Sequence, residues 1–508
     1  MASEPSNQIT ISARGSAIAA NNRSETHQLK IDTRDPTARI VVLDGQFKAI
    51  AKANGAIEGR FPSGIYKIRV QRGASSIGFE DKVVVLDRDT EILVEPPQLS
   101  TPSPLGGTSA IGSHVAACEW LDAVVHVGIG RGAKLAVLAR YGEPQQEEAP
   151  LHPFRGLQLL RENGERLVDL EIAAPKTSLP SQEPVAICGI AVDPGAYIIR
   201  YRLAGGRQVS QSLIACAGWQ TTLNIRRVRS IRNPDEKSLD DPQVSTGTLR
   251  ELFAQPGYVS ILMRRMVNWQ SADRAARRPS AYGIIDDDRL TEVARQGLAD
   301  GTEFLSGNLY DLMLRDFENP LVGILGGILL DVERVAQGEQ FCKEHEGFFD
   351  ILVARLREMV GSSHPDVEAL AFRCRDSALV PKRPFRARPM FHRSWRLILE
   401  AAATRHDIVP IDLWKRTSAS GSMPPFLIWT ADRTYKRNRL KTLTRTISNL
   451  LDRGQAEGPG AESVTSSLAR AAIEMSMPTN VVARLAAQQQ KGSARGSRGR
   501  WPTRRTPK

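Results

Sequence analysis

A six-residue pattern, Gly-x-Tyr-x-Ile-Arg, occurs twice, at Gly64–Arg69 and Gly195–Arg200, and the segments around the copies align without a gap at an offset of 131 residues. From Phe61 with Val192 to Val94 with Ile225, five positions are identical: Gly64/Gly195, Tyr66/Tyr197, Ile68/Ile199, Arg69/Arg200 and Thr90/Thr221. The alternation agrees further than the identities do. Tyr66, Ile68 and Val70 match Tyr197, Ile199 and Tyr201 on one face of a strand, while Lys67, Arg69 and Gln71 match Ile198, Arg200 and Arg202 on the other. A period of two predicts a strand with one buried and one mainly solvated face. Pro62-Ser63-Gly64 and Pro194-Gly195 lead into it, with proline fixing φ and glycine accepting a positive one. The chain is thus constrained to contain two related β units.

Short β runs surround each copy. Around the first they are Ile40–Leu43, Ile65–Val70, Lys82–Leu86 and Glu91–Glu95. Around the second they are Val124–Val127, Leu135–Leu138, Leu157–Leu160, Tyr197–Leu203, Gln211–Cys216 and Thr221–Ile225. Gln98–Ser113 is rich in Ser, Pro and Gly and reads as a linker. After a charged stretch, Arg226–Ser245, the pattern turns helical. Phe348, Leu352, Leu356 and Met359 form a stripe closed by Gly361, and His364-Pro365-Asp366 restarts a helix with proline at its first position. Further helices are predicted over Thr248–Met263, Arg289–Leu298, Asn308–Arg315, Leu321–Ala336 and Ser394–Ala403.

The fold class predicted is therefore multidomain β plus α: two small antiparallel β-sandwich domains, an all-α domain and a helical or disordered basic tail. The boundaries are a disordered N-terminus over 1–27, sandwich domain 1 over 28–98, a linker over 99–113 and sandwich domain 2 over 114–228. A second linker follows over 229–246, then the all-α domain over 247–430, a basic helical segment over 431–486 and a disordered Arg-rich tail over 487–508.

A Pro-Gly turn leading into Tyr-x-Ile-x-Val and a second apolar strand resembles the carboxypeptidase-regulatory-like and PEGA-like β-sandwich modules. The likeness covers about 35 residues in each half. It implies small, non-catalytic binding or spacer domains. Asn319–Gly327, His364–Leu370 and Pro389–Trp395 look similar to uncharacterised regions of multidomain bacterial proteins.

Composition narrows the setting. Met1–Asn22 has no basic start followed by an apolar run, and the longest apolar stretch, Leu321–Leu330, is far shorter than a membrane span needs. The expectation is a cytoplasmic chain with no membrane segment. Five cysteines, Cys118, Cys188, Cys216, Cys342 and Cys374, are widely spaced with no Cys-x-x-Cys pair, as for buried reduced thiols. The net charge of +12 is carried by Arg433–Arg445, with six basic residues against Asp432, and by Arg484–Lys508, with eight and no acid. The body is close to neutral.

His126 in Val124–Gly128 and Cys216 in Leu213–Gly218 are the candidate catalytic pair, because caspase-like peptidases place a histidine and a cysteine at adjacent strand ends. The gapless repeat sets Cys216 opposite Val85, an ordinary apolar position, which argues for a buried structural thiol. Cys342-x-x-His345 offers two ligands where zinc needs three or four, Asp286–Asp288 reads as acid at a helix start, and Gly128-Ile-Gly130-Arg-Gly132 reads as a hairpin turn. Gly323 and Gly327 suit close helix packing. No metal and no cofactor is expected.

The first functional expectation is a non-enzymatic adaptor or scaffold binding a partner protein, with Arg69, Arg200, Arg202 and Trp219 as exposed contacts, since Arg and Trp dominate interface hot spots. An alternative is a nucleic-acid-associated regulator acting through the basic C-terminal helices and tail, with Arg484, Lys491, Arg495, Arg498, Arg500, Arg504 and Arg505 on phosphates. A second alternative is a cysteine hydrolase using His126 and Cys216.

Overall fold

The computed structural model describes residues 25–35, 37–72, 79–97, 101–103, 125–141, 152–174, 185–202, 208–227, 259–266, 287–300, 313–338, 345, 347–405, 407–417 and 425–430, with short stretches at 443–447, 449, 471–472, 477–478 and 481–486. The chain divides into two discontinuous compact units, Met1–Val115 with Trp269–Gln337 and Ala116–Asn268 with Gly338–Lys508. The block expected as one helical domain, 247–430, is shared between them. The linker expected over 229–246 and the tail from 487 onward lie outside the described residues, as do most of the 1–27 segment and most of the 99–113 linker.

In the first unit, β1 (Thr26–Asp32), β2 (Ala38–Leu43), β3 (Ala49–Asn54), β4 (Ala56–Pro62), β5 (Gly64–Arg72), β6 (Phe79–Leu86) and β7 (Thr90–Leu93) make two sheets, β4-β1-β7 and β3-β2-β5-β6. β1 pairs antiparallel with β4 and parallel with β7, and the four-stranded sheet is antiparallel throughout. Alternation is clean. On β2, Ala38, Ile40 and Val42 are buried while Arg39, Val41 and Leu43 are half-buried. Inward residues of both sheets, Leu29, Ile31, Ile57 and Ile92 from one and Ile40, Val42, Ile68, Val70 and Leu86 from the other, merge into one core cluster. Each such fully buried Ile or Leu stabilises by about 1.5–3 kcal/mol.

The helices Asp287–Asp300 and Pro320–Gln337 belong to this unit. Arg289 Nη2 donates to Asp35 Oδ2 at 2.8 Å, tying the first helix to the loop after β1. One turn on, the buried Arg295 donates to the buried Glu292, which also accepts from Thr101 Oγ1. A side chain at Gly323 would strike the Phe317 ring, and one at Gly326 the backbone of Met313, so the apolar helix carries glycine where its neighbour comes closest.

In the second unit, β8 (Val127–Gly128), β9 (Ala133–Tyr141), β10 (Leu157–Arg161), β11 (Arg166–Asp169), β12 (Val185–Val192), β13 (Gly195–Arg202), β14 (Gln208–Ala215), β15 (Trp219–Arg227), β16 (Val259–Arg265) and β17 (Ile428–Thr430) form the sheets β16-β15-β9-β12-β8 and β11-β10-β13-β14-β17. The helices Leu170–Ala173, Phe348–Val360, Pro365–Leu370, His392–Thr404 and Ile411–Thr417 complete it, with a 3-10 turn at Ala371–Arg373.

The seven strands β1 to β7 recur one for one as β9 to β15. β9 pairs antiparallel with β12 and parallel with β15, as β1 does with β4 and β7. The order β11-β10-β13-β14 repeats β3-β2-β5-β6, including a register shift at the same pairing, between Val42/Leu43 in one copy and Leu159/Leu160 in the other. Tyr66 donates its hydroxyl to Pro62 O at 2.7 Å and Tyr197 to Asp193 O at 2.8 Å, the same clasp at the same offset.

The gapless offset of 131 holds on β5/β13 and fails on the next strand. Gln71 pairs with Phe79 but Arg202 pairs with Gln208, so the second copy's hairpin turn is two residues shorter and the following turn two longer. Val85 corresponds to Ile214, and Cys216 lies in the lengthened turn after β14; the expected match of Cys216 with Val85 is corrected accordingly. Two further expectations change. Val259–Arg265, which overlaps the end of the helix expected over Thr248–Met263, is the strand β16, which lacks alternation because Val259 to Met263, Ser260 included, are buried on both faces. Together with β17 it makes the 247–430 stretch mixed rather than all-α. Gly128–Gly132 is not a hairpin turn, since β8 pairs parallel with β12, which lies between β8 and β9. Gly130 there has no room for a Cβ against Asp193, whose Oδ1 accepts from Arg131 N at 2.9 Å.

Candidate docking face

The two copies differ in what covers them. In the second, β14 is buried on both faces and its edge is paired antiparallel by β17, Val209 with Thr430, Ser210 with Trp429 and Gln211 with Ile428. Its outward Ser212 donates to the backbone oxygen of Arg388 at 3.0 Å. Arg388 is itself buried: Nε donates to Thr417 Oγ1 at 2.8 Å, Nη1 to Glu162 Oε1 at 2.6 Å, and the guanidinium stands 4.4 Å from the Trp429 ring centre. Burial pushes the Glu162 carboxyl up although Arg388 and Arg416 oppose it, and pushes Arg388 down although Glu162 opposes it. At both partners burial opposes the attraction, as in any desolvated ion pair.

In the first copy the same positions are open, and β6 ends its sheet among the described residues. Val83 is 65% exposed where its counterpart Ser212 is fully buried, and Val85 is 61% exposed where Ile214 is 5%. Ile65, opposite Val85, and Phe79 at the far end are also exposed. Between them lies a charged row. Arg69 grips Asp81 with two bonds, Nε to Oδ1 at 2.8 Å and Nη2 to Oδ2 at 3.0 Å, and Lys67 Nζ reaches Asp81 Oδ2 at 2.7 Å. The Arg69 hydrogen bonds, followed by those of Lys67, hold the Asp81 carboxyl down to about 2. Arg69 also stacks 4.3 Å from the Phe79 ring centre, and Lys67 lies 5.9 Å from that of Phe47.

Phe47 is 71% exposed in the β2–β3 turn with φ 61°, a backbone region that aromatic residues seldom adopt. Asp44 holds it there: its carbonyl accepts from Phe47 N and its Oδ1 from the Gln46 and Lys48 backbone N–H groups.

Of the expected contacts, Arg69 lies in the middle of this face. Arg200, its counterpart, is half-buried, and Arg202 ends β13. Trp219 is not exposed: only 8% of it is accessible, and its Nε1 donates to Met359 O at 3.4 Å, because the Phe348–Val360 helix lies over β15's first residue. Arg484 is exposed, and Lys491, Arg495, Arg498, Arg500, Arg504 and Arg505 lie outside the described residues.

His126 and Cys216 sit in settings unlike a thiolate–imidazole pair. His126 Nδ1 accepts from Gly189 N at 2.9 Å, and burial, with Lys134, lowers its basicity. Burial, with the Asp366 carboxylate, pushes the Cys216 thiol up to about 12, so it is a neutral thiol at physiological pH. Asp366 belongs to a buried cluster that sequence reasoning took for a simple helix start. It accepts from Met390 N at 2.8 Å and Phe391 N at 3.1 Å, and burial raises its carboxyl to about 6. His364 Nδ1 lies 3.9 Å from Asp366 Oδ2, beyond hydrogen-bond reach, and burial lowers its imidazole to about 3. Neither of its ring nitrogens has a partner among the described residues.

Cys342 and Asp286 lie outside the described residues; His345 packs against Phe348, and Asp287 and Asp288 open the Asp287–Asp300 helix. Among the described residues no group of three or more His, Cys, Asp or Glu side chains could hold a metal, and no helix is long and apolar enough to cross a membrane.

No family model and no curated protein matches the chain. Among solved structures it is similar to the Bacillus anthracis TIE protein at 11% identity, over 40% of this chain and 34% of that one, with a TM-score of 0.16. The chain thus spans about a third of that protein, and so low a score carries no inference about fold or activity.

Proposed function

We propose that the chain is a non-enzymatic adaptor built on two copies of a seven-stranded β-sandwich module of the PEGA-like kind, one of which is a docking module for a partner protein. The observation that supports this most is the contrast between equivalent positions. The second copy uses its outer face and its β14 edge internally, through Arg388, Thr417 and β17. The first keeps the corresponding face open, with Ile65, Phe79, Val83 and Val85 exposed on one sheet and Phe47 held in a strained turn beside them. Scattered exposed apolar residues are ordinary; five clustered on one edge hairpin and its neighbouring turn mark an interaction surface.

The test is photo-crosslinking in the cells from which the chain comes. A photoreactive residue replacing Val83 captures a defined partner, whereas the same residue replacing Glu58, on the other sheet of the module, does not. Equal capture from both positions, or none from Val83, contradicts the reading.

A further inference from the structure

Resting on that docking reading, we infer that β6 receives an extended, apolar and acidic segment of a partner protein, added antiparallel along its edge. The internal copy supplies the geometry. β17 lies antiparallel on β14 opposite Val209, Ser210 and Gln211, and the register of the two hairpins makes Glu80, Asp81 and Lys82 their counterparts on β6. An added strand there continues the ladder of main-chain hydrogen bonds and sets every second side chain beside Val83 and Val85.

Charge identifies the class of segment. The outward side of β3-β2-β5-β6 carries Lys52, Arg39, Lys67 and Arg69 against one carboxylate, Asp81. Asp81 is shared by Lys67 and Arg69, so the face keeps a positive excess. Lys67 and Arg69 stand two strand spacings, about 10 Å, from an added strand, within joint reach of a glutamate and a long cation. Like-charged partners are repelled from this face and acidic ones steered to it. A basic segment does not suit the charge, and a purely polar one does not suit the apolar edge.

Three fluorescent twelve-residue peptides, repeating Ser-Val-Ser-Glu, Ser-Val-Ser-Lys or Ser-Ser-Ser-Glu so that the varied residues share the strand face that meets Val83, Val85, Lys67 and Arg69, and called Val–Glu, Val–Lys and Ser–Glu, titrated against the full chain, test the inference. The Val–Glu peptide is expected to bind at least tenfold more tightly than the others and to weaken with salt. It should slow amide exchange over residues 80–86, and lose at least tenfold in affinity to the Val83→Ser/Val85→Ser variant but not to Ile172→Ser, an exposed apolar site in the other unit. Equal binding of the three peptides, or binding without protection of β6, overturns it. So does a concentration-dependent dimer, lost in Val83→Ser/Val85→Ser, which would give the face to a second copy. If crosslinking from Val83 captures a folded partner while the Val–Glu peptide leaves β6 unprotected, the strand chemistry fails and the docking reading stands. If Val83 captures nothing, both fail.

Discussion

His364 and Asp366 give the sharpest quantitative prediction, because burial moves their protons in opposite directions. The His364 imidazole, lowered to about 3, contributes stability that is fully present above its ordinary range near 6.5 and lost as pH falls towards 3. The Asp366 carboxyl, raised to about 6, contributes stability that is fully present below about 4 and lost as pH rises through 6. Between pH ~4 and ~6 the folded state holds a neutral pair and the unfolded state a charged pair, with equal protons bound, so the two slopes cancel. At ~1.4 kcal/mol per pH unit, each slope alone amounts to about 3 kcal/mol across that window. Relative to the parent, Asp366→Asn should therefore gain stability by about 3 kcal/mol as pH rises from 4 to 6, and His364→Phe should lose about as much. The double variant should run parallel to the parent. Amide exchange over the His392–Thr404 helix, whose approach Asp366 holds through the Met390 and Phe391 backbone just before it, corrected for intrinsic rates at each pH, reads this locally. Slopes of the same sign in the two single variants would contradict opposite proton shifts at His364 and Asp366.

Three further outcomes are expected. Val85→Ala and Ile214→Ala occupy equivalent strand positions, so the first should change stability by less than about 0.5 kcal/mol and the second cost about 2–5 kcal/mol in denaturant titrations. Arg388→Met strands the buried Glu162 carboxylate and should cost about 3–5 kcal/mol, much of it returned when Glu162→Leu is added; no recovery in the double variant would show that the pair is not coupled. Cys216 should stay unmodified by iodoacetamide at neutral pH in the folded chain, as read by peptide mapping, and prompt labelling would return the His126–Cys216 hydrolase to consideration.

The sequence shows most clearly the strand whose two faces differ, β5, and the short apolar runs within β2, β6, β9 and β14. β12, Val-Ala-Ile-Cys-Gly-Ile-Ala-Val, is apolar throughout, and β16, Val-Ser-Ile-Leu-Met-Arg-Arg, is buried on both faces over its first five residues, so neither alternates. β3, Ala-Ile-Ala-Lys-Ala-Asn, is a poor strand former held by pairing with β2. The helices at Asp287–Asp300, Pro320–Gln337, Phe348–Val360 and His392–Thr404 follow from their periodicity, with Gly361 at φ 82° closing the third. The buried stripe of that third helix, however, runs through Phe349, Leu352, Val353 and Leu356, turned from the one read through Phe348 and Met359. The candidate face was half visible. The Arg69 row lies on the strand face read as solvated, but the exposure of Val83 and Val85 was not readable, because the equivalent positions, Ser212 and Ile214, are buried in the copy where a later segment of the chain covers them. Asp366 shows the converse: acid at a helix start is ordinary, and only the approach of Met390 and Phe391 makes it a buried acceptor.

Equivalent edges are filled by β17 in one copy and, among the described residues, unpaired in the other. Amide hydrogen exchange of the full chain alone tests this most directly, comparing residues 79–86 with 208–215. The β6 amides facing away from β5 are expected to exchange at least a hundredfold faster than the β14 amides that face β17. Equal protection of the two edges would contradict it.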